Sequence, residues 1–170
     1  MAAALLLPGL LAGCASTQGA VMAAGADAAV AHPEARSFTV SGDAMADVDT
    51  ALAQAAERGT RVLLVMGANW CHDSRALAGW LETDRFAALV ARRYELVFVN
   101  VGMPQTGDGH NLDVARRFGI EALPGTPSLL VLTASGELVN GDTATTWRNA
   151  ASRSEEAIFA ELLALAGETS

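Results

Sequence analysis

Apolar residues recur along the middle of the chain with the periods of helices and strands. Residues 44–58 place their apolar side chains on one helical face, and Gly59 ends that pattern. The continuous apolar runs at 61–67 (RVLLVMG) and 95–101 (ELVFVNV) are typical of strands buried on both faces. Between them a helical period returns from 72 to about 92. These patterns predict helices alternating with buried strands.

The flanking segments complete the predicted fold. Residues 38–40 (FTV) fit a short edge strand, and residues 112–119 fit a short helix that ends at a glycine. Residues 128–140 read as two strands joined by a tight turn, and residues 150–166 read as a last amphipathic helix. The predicted order is β-α-β-α-β-α-β-β-α. It indicates an α/β fold with a central mixed sheet, whose parallel part is followed by an antiparallel hairpin at the edge.

The N-terminal residues have the character of a targeting signal. Residues 2–11 (AAALLLPGLL) form an apolar run that is shorter than the roughly 20 residues a membrane-spanning helix needs, but it suits a signal peptide. No Lys or Arg precedes it. The run ends in Leu-Ala-Gly-Cys14, which resembles the lipobox of bacterial lipoprotein precursors. That resemblance implies that residues 1–14 are a signal peptide and that Cys14 is lipidated.

The composition after Cys14 and the lipobox resemblance together predict the organisation of the rest of the chain and the location of the protein. Residues 15–36, rich in Ala, Gly and small polar residues, are expected to be a flexible linker, and residues 37–170 a single domain. Ala15 follows Cys14 in place of the Asp that commonly retains lipoproteins in the inner membrane. We therefore expect a lipid-anchored protein of the cell envelope. In an organism with two membranes, it would lie on the periplasmic side of the outer membrane.

Composition limits the possible partners. The 170 residues carry 11 Lys and Arg against 19 Asp and Glu, for a net charge of −8. A hydrophobic fraction of 51% with 18% charged residues fits a globular domain. Because the acidic chain has no cluster of basic residues, we expect no nucleic-acid partner. The chain has two cysteines, so that lipidation of Cys14 would leave Cys71 as the single thiol.

The candidate chemistry lies in ANWCHDSRAL, residues 68–77. Cys71 follows a predicted buried strand and opens a predicted helix, where free backbone N–H groups and the helix dipole favour a thiolate. We expect its sulfur to be half-exposed and reachable. A protonated His72 would favour the thiolate too, and Ser74 can offer its hydroxyl to the sulfur. Asp73 is interpreted as a helix-start charge rather than a catalytic acid.

A strand followed directly by Trp70-Cys71, in this order of elements, resembles the thioredoxin superfamily over about residues 38–166. More narrowly, GANWCHDSRAL is similar to thioredoxin-like bacterial proteins that carry GANWC-x-D-C-R-AL, and the NLD segment at 111–113 matches them as well. The resemblance implies a thioredoxin-like fold. It also implies that Trp70 shapes a substrate groove beside the cysteine, although a packing role in the core is an open alternative.

The resemblance further implies a cis-proline that faces the active cysteine. Pro127 directly precedes the apolar run SLLVL, and Pro124 is the competing position. We favour Pro127, because a cis peptide bond before proline belongs in a tight turn against the strand. Thr126 and Pro127 would then bind an extended substrate segment through their backbone.

Two departures from the family define the chemistry that remains. Ser74 stands where the second cysteine of the motif belongs, and Val65 stands where many thioredoxins hold a buried acid. A serine hydroxyl cannot resolve a mixed disulfide, so an external thiol must do so. The predicted activity is therefore monothiol exchange: isomerisation of disulfides, reduction of S-thiolated proteins with a small thiol, or retention of clients by a long-lived mixed disulfide. Envelope proteins and small thiols are the expected partners.

A non-catalytic alternative stays open. Free cysteines are often inert small hydrophobes, so the alternative is that the domain is a binding module or scaffold that uses the same groove. We expect no cofactor and no metal, because a set formed by Cys71, His72 and His110 lacks a second thiolate. The predicted site thus comprises catalytic residues (Cys71, Ser74, His72) and substrate-binding residues (Trp70, Thr126, Pro127).

Overall fold

The computed structural model describes Met1 and residues 32–167. Residues 2–14 of the predicted signal peptide, which include the lipidation site at Cys14, and most of the predicted linker lie outside these residues. The helices and strands are α1 (Ala44–Arg58), β1 (Arg61–Gly67), α2 (His72–Glu82), α3 (Asp84–Arg93), β2 (Tyr94–Asn100), β3 (Gly102–Met103), β4 (Asp108–Gly109), α4 (Leu112–Arg117), β5 (Ser128–Leu132) and α5 (Glu155–Leu165). Short 3-10 helices occupy Pro104–Thr106 and Ala150–Ser152.

Strand β1 is the centre of the sheet. The order is β2-β1-β5, with β1 parallel to β2 and antiparallel to β5. The parallel pair needs a long crossover, which α2 and α3 supply. The predicted α/β fold with a mixed central sheet flanked by helices is confirmed.

Both faces of the sheet are covered, because successive side chains of a strand point to opposite faces. On one face, Leu63 and Val65 pack with residues of α2, α3 and α5. On the other face, Leu64 and Met66 pack with residues of α1 and α4. All four side chains are fully buried, which accounts for the unbroken apolar run of β1.

The edges of the sheet differ from the prediction. Residues 38–40 do not form a strand, because side-chain amides bond the backbone of Phe38: its N–H donates to Asn69 Oδ1, and its carbonyl accepts from Asn69 and Asn100. The second arm of the predicted hairpin is reduced to one bridge between Leu132 and Leu138. The side chain of Asn140 takes its place by bonding the N–H of Val131 and the carbonyl of Leu129 beside it.

Two further differences concern the helix after β1 and the loop after β2. The predicted single helix from 72 to about 92 is divided at Thr83, whose N–H and hydroxyl both bond to the carbonyl of Trp80. The glycine-containing loop after β2 holds the two-residue strands β3 and β4, which pair with each other. Among the described residues, no helix combines the length and the apolar character required to cross a membrane.

Residues 32–36, which the sequence predicts as the end of the linker, lie against α2. The N–H of Ala35 donates to the carbonyl of Arg75 at 3.0 Å. Gly79 permits this approach, since a Cβ there would lie 2.4 Å from the carbonyl carbon and oxygen of Pro33. The folded unit therefore begins before residue 37, and at least this part of the predicted linker is packed.

Candidate active site

Cys71 is the N-cap residue of α2. Its N–H donates to the carbonyl of Ala68 at 3.1 Å, which closes the turn after β1, and its carbonyl accepts from Arg75 N–H at 3.1 Å as the helix begins. The free N–H groups of the first helical turn therefore lie next to the sulfur. This is the location that the sequence predicts for Cys71.

The sulfur faces the segment before β5. Cys71 Sγ donates a hydrogen bond to the carbonyl oxygen of Thr126 at 3.2 Å. The peptide bond between Thr126 and Pro127 is cis, as the sequence predicts for Pro127 in preference to Pro124. The antiparallel register explains why Cys71 and Thr126 lie together, because Met66 near the end of β1 pairs with Ser128 at the start of β5. The turn that carries Cys71 and the loop that carries Pro127 thus leave the sheet at the same edge.

The exposure of Cys71 is lower than the sequence predicts. Only 7% of the residue is accessible, so it is nearly buried instead of half-exposed. Its contact with the Thr126 carbonyl covers the sulfur from one side, and Thr126 is itself buried. A reacting disulfide must therefore approach through a narrow opening, or the loop before Pro127 must move aside.

Ser74, a predicted catalytic residue, does not reach the accessible surface of the site. It is fully buried, and its Oγ accepts a hydrogen bond from Ala68 N–H at 3.4 Å. A Cβ at Gly67 would lie 2.7 Å from that same Oγ, which shows how closely Ser74 packs beneath the turn. Val65, at the position of the family's buried acid, lies in the apolar core. Within the described residues, Cys71 therefore has no second thiol beside it, and residue 65 supplies no acid.

Trp70 forms the exposed part of the site. It is 49% accessible, and its indole N–H donates to the carbonyl of Gly102 at 3.0 Å. This bond ties the turn before Cys71 to β3. Of the two readings that the sequence leaves open, the structure supports a rim position for Trp70 over a core position.

Asp73 connects α2 to the C-terminal part of the fold. Its Oδ1 accepts a hydrogen bond from the N–H of Ala151 at 2.9 Å, within the 3-10 helix that precedes α5. A carboxylate in the first turn of a helix also suits the helix dipole. The geometry agrees with a structural helix-start role for this residue.

His72 is directed toward the segment that precedes the domain. Its Nε2 lies 3.3 Å from Glu34 Oε1, a contact that becomes an ion pair when the imidazole is protonated. Arg75 Nε lies 2.8 Å from the other oxygen of Glu34. The hydrogen bond from Arg75 holds the pKa of Glu34 below its ordinary value. The structure therefore gives His72 a carboxylate partner in the packed segment at 32–36.

Local sequence patterns do not single out His32, Glu34 and Arg75. His32 and Glu34 fall in a stretch whose composition reads as linker, and only the tripeptide His-Pro-Glu distinguishes it. The rings of His32 and His72 lie 4.7 Å apart, and the ligand atoms of His32, Glu34 and His72 all lie within 4.8 Å of one another. His110, a candidate metal ligand in the sequence together with Cys71 and His72, lies outside this cluster. Its Nε2 bonds Asn100 Oδ1 at 3.1 Å.

Comparison with known proteins shows which family and which solved structure the chain resembles. The chain is similar to the disulphide isomerase from Xylella fastidiosa Temecula1, with 28% identity and a TM-score of 0.70 over 78% of this chain and 98% of that one. No curated protein matches the chain. Residues 43–134, more than half of the chain, match the thioredoxin-like family. These residues include β1, Cys71 and the cis bond before Pro127, and the chain therefore belongs to the thioredoxin-like family.

Proposed function

We propose that this protein carries out monothiol thiol–disulfide exchange through Cys71. The observation that carries the proposal is the position of Cys71 Sγ, at the N-terminus of α2 and 3.2 Å from the Thr126 carbonyl. Membership of the thioredoxin-like family and the likeness to a protein described as a disulphide isomerase support it. Cys71 is the one free cysteine of the described residues, and with Cys14 lipidated the exchange would use a single protein thiol.

The proposed reaction has two steps without net oxidation or reduction of the protein. In the first, the Cys71 thiolate attacks one sulfur of a client disulfide, forming a mixed disulfide and releasing the other sulfur as a thiolate. In the second, another thiolate attacks the client sulfur and releases Cys71. If that thiolate belongs to the client, the client's disulfide is rearranged. If it belongs to a small thiol, the client leaves joined to that small thiol.

The surrounding residues have distinct proposed parts. Trp70, with half of its surface accessible, would contact the client chain beside the reacting sulfur. The backbone of Thr126 and Pro127 would lie along the client segment. Ser74 acts on the turn rather than on the client, since its buried hydroxyl accepts a hydrogen bond from Ala68 N–H. His72 would limit access from the side of Glu34.

A second candidate is a binding module that uses the same groove without covalent chemistry. The specific observation in its favour is the burial of Cys71, with 7% of the residue accessible. A packed cysteine contributes to the fold as a small apolar side chain. In that case Trp70 and the loop before Pro127 would bind a partner while the sulfur stays unreactive.

The expected location is also a proposal. The apolar run at 2–11 and the Leu-Ala-Gly-Cys14 segment support a lipid anchor in the cell envelope, with envelope proteins and small thiols as the reaction partners. The Cys14→Ser chain should fail to incorporate labelled fatty acid and should leave the membrane fraction. Full retention of Cys14→Ser in membranes, with no lipid label in the unchanged chain, would refute the anchor.

The activity is tested on the full chain carrying Cys14→Ser, in which Cys71 is the remaining thiol. The protein is incubated with a protein of scrambled disulfides and a low concentration of glutathione, and mixed disulfides are trapped by acid and identified by mass. We expect a mixed disulfide on residue 71, faster recovery of native disulfides, and loss of both in Cys71→Ser. If client protein binds equally to both chains and no mixed disulfide forms, the binding module is the correct function.

A further inference from the structure

A cluster of two imidazoles and one carboxylate lies beside the start of α2, separate from the sulfur. One ligand atom from each of His32, Glu34 and His72 lies within 4.8 Å of the other two. His72 and Glu34 are exposed and His32 is partly exposed, so their side chains can rotate inward around an ion. Zinc binds imidazole nitrogen and carboxylate oxygen at about 2.0–2.2 Å. The three ligand atoms must come closer together to reach these distances, and rotation of the side chains can bring them there.

Hydrogen bonds already orient two of the three groups. His32 Nδ1 lies 3.2 Å from the carbonyl of Pro33, and a proton shared in that contact leaves the lone pair of the ring on Nε2. Arg75 Nε bonds one oxygen of Glu34 at 2.8 Å, while the other oxygen faces His72. Arg75 thus fixes the position of the Glu34 carboxylate, although the guanidinium charge also weakens its attraction for a cation.

The backbone around the cluster is held in place as well. The segment that carries His32 and Glu34 bonds to α2 through Ala35 N–H, and it packs on Gly79 at a distance that excludes a Cβ. The third group, His72, is the first residue of α2. The three side chains thus come from two elements that are already joined, which lowers the entropic cost of assembling a site.

We propose that His32, Glu34 and His72 bind one divalent transition-metal ion of the zinc type, with water in the open coordination positions. Two neutral imidazoles with one carboxylate suit zinc and the neighbouring late transition metals, and they disfavour calcium and magnesium, which prefer oxygen ligands. The ion would clamp the segment that precedes the domain onto the helix that begins beside Cys71. The sulfur of Cys71 is not one of the proposed ligands, and it donates its hydrogen bond to the Thr126 carbonyl instead.

The test is Zn²⁺ binding to the full chain carrying Cys14→Ser, measured by calorimetry at neutral pH. We expect saturable binding of one ion per chain. His32→Ala, Glu34→Gln and His72→Ala should each weaken it by at least about tenfold, since loss of even an outer-shell partner of a metal ligand costs 10- to 100-fold. Co²⁺ serves as a spectroscopic probe, whose visible bands should report nitrogen and oxygen ligands without thiolate.

Two controls separate this site from other zinc ligands. His110→Ala removes the third histidine of the chain, which lies outside the cluster, and it should bind Zn²⁺ as tightly as the parent. Cys71→Ser should also bind normally, which makes the result independent of the proposed thiol chemistry. Circular dichroism of each variant verifies folding. Absence of saturable binding, or binding that is lost in Cys71→Ser or His110→Ala but kept in His72→Ala, would overturn the proposal.

Discussion

Cys71 Sγ lies 3.2 Å from the carbonyl oxygen of Thr126, a residue 55 positions later in the chain. The contact joins the N-terminus of α2 to the loop before β5. It also holds the sulfur where only 7% of Cys71 is accessible. A client that reacts with this sulfur must compete with the Thr126 carbonyl for it, so the reactivity of the thiol depends on how the loop and the client share this space.

Replacing Ser74 by cysteine should change the way in which a mixed disulfide is resolved. In the parent chain, the mixed disulfide on Cys71 persists until another thiol attacks it. In Ser74→Cys the new thiol stands three residues away, at the spacing of redox-active pairs, and it should release the client by forming a disulfide with Cys71. The measurement is the lifetime of the mixed disulfide after removal of small thiols, in the Cys14→Ser background. We expect it to shorten at least about tenfold.

Ser74→Ala is the matched control for that experiment. It removes the hydroxyl that accepts from Ala68 N–H but adds no thiol, so the mixed disulfide should persist as in the parent chain. An equally short lifetime in Ser74→Ala would show that the turn, rather than the missing second thiol, sets the lifetime. A long-lived mixed disulfide in a folded Ser74→Cys would also contradict the monothiol explanation.

Local sequence patterns are sufficient for the three strands of the central sheet and for the position of the cysteine, whereas tertiary contacts decide the remainder. The apolar run of β1 predicts burial on both faces. The family resemblance implies the cis bond, and the place of Pro127 next to β5 selects it over Pro124. By contrast, the segment at 38–40 has the composition of a strand, but the side chain of Asn69 bonds the backbone of Phe38. No local pattern reveals such a partner 31 positions away.

The candidate site shows the same division. The position of Cys71 at a helix start follows from its place after an apolar run. The burial of Ser74 does not, because it depends on how the turn packs on Gly67. Glu34 meets His72 because Pro33 reaches the bare backbone of Gly79, and a contact of that kind between distant segments is invisible to periodicity.

Trp70→Ala should reduce exchange with large clients more than with small disulfides. The indole is 49% accessible at the rim, where it can contact a client chain but not the few atoms of a small disulfide. We expect the rate of mixed-disulfide formation with a peptide disulfide to fall by about tenfold, which is about 1.4 kcal/mol of activation free energy. The rate with glutathione disulfide should change little. Both rates are measured by quenching the reactions with acid at set times and quantifying the mixed disulfide by mass spectrometry.

Leu163→Ala is the control for Trp70, since Leu163 is also an exposed apolar residue, with 47% accessible, but belongs to α5. Its rates with both disulfides should equal those of the parent chain. If Leu163→Ala slows the peptide reaction as much as Trp70→Ala does, the loss reflects general surface hydrophobicity and not a client-binding rim.

Gly79→Ala should detach the segment at 32–36 from α2. A Cβ there would lie 2.4 Å from the backbone of Pro33, and an overpacked contact of this kind costs about 1–3 kcal/mol. Alanine regains up to about 1 kcal/mol of helix propensity, so the segment should move away while the helix remains. Hydrogen exchange at Ala35 N–H, which bonds the Arg75 carbonyl, should become faster. Zn²⁺ affinity should fall in parallel.

Gly42→Ala makes the same chemical change where nothing lies within 4 Å of the added Cβ. Its Ala35 exchange rate and its Zn²⁺ affinity should match the parent chain. Unchanged exchange at Ala35 in Gly79→Ala would mean that the backbone of the segment adjusts without leaving α2, and the close approach would then have no role in positioning His32 and Glu34.

Tyr94 should make the protein sensitive to alkaline pH. Burial raises the pKa of its hydroxyl well above the ordinary value, and the hydroxyl donates to the carbonyl of Leu162 in α5 at 2.6 Å. The unfolded chain exposes a tyrosine that ionises near pH 10. Because the folded pKa is the higher one, the unfolded state loses this proton first. The stabilisation is complete below about pH 10 and falls as pH rises toward the folded pKa, by at most about 1.4 kcal/mol per pH unit.

Tyr94→Phe should therefore cost about 1 kcal/mol of unfolding free energy at pH 8, from loss of the hydrogen bond to Leu162. The difference between the two chains should shrink above about pH 10, where only the tyrosine chain is destabilised by ionisation of its unfolded state. Urea unfolding followed by tryptophan fluorescence measures this directly. The chain has one tyrosine and no lysine, so tyrosinate absorbance reports residue 94 alone, with little competing titration. Two results would show that the hydroxyl of Tyr94 is accessible and not packed against α5. One is ionisation of Tyr94 in the native chain near pH 10; the other is a difference in unfolding free energy between the two chains that stays constant above about pH 10.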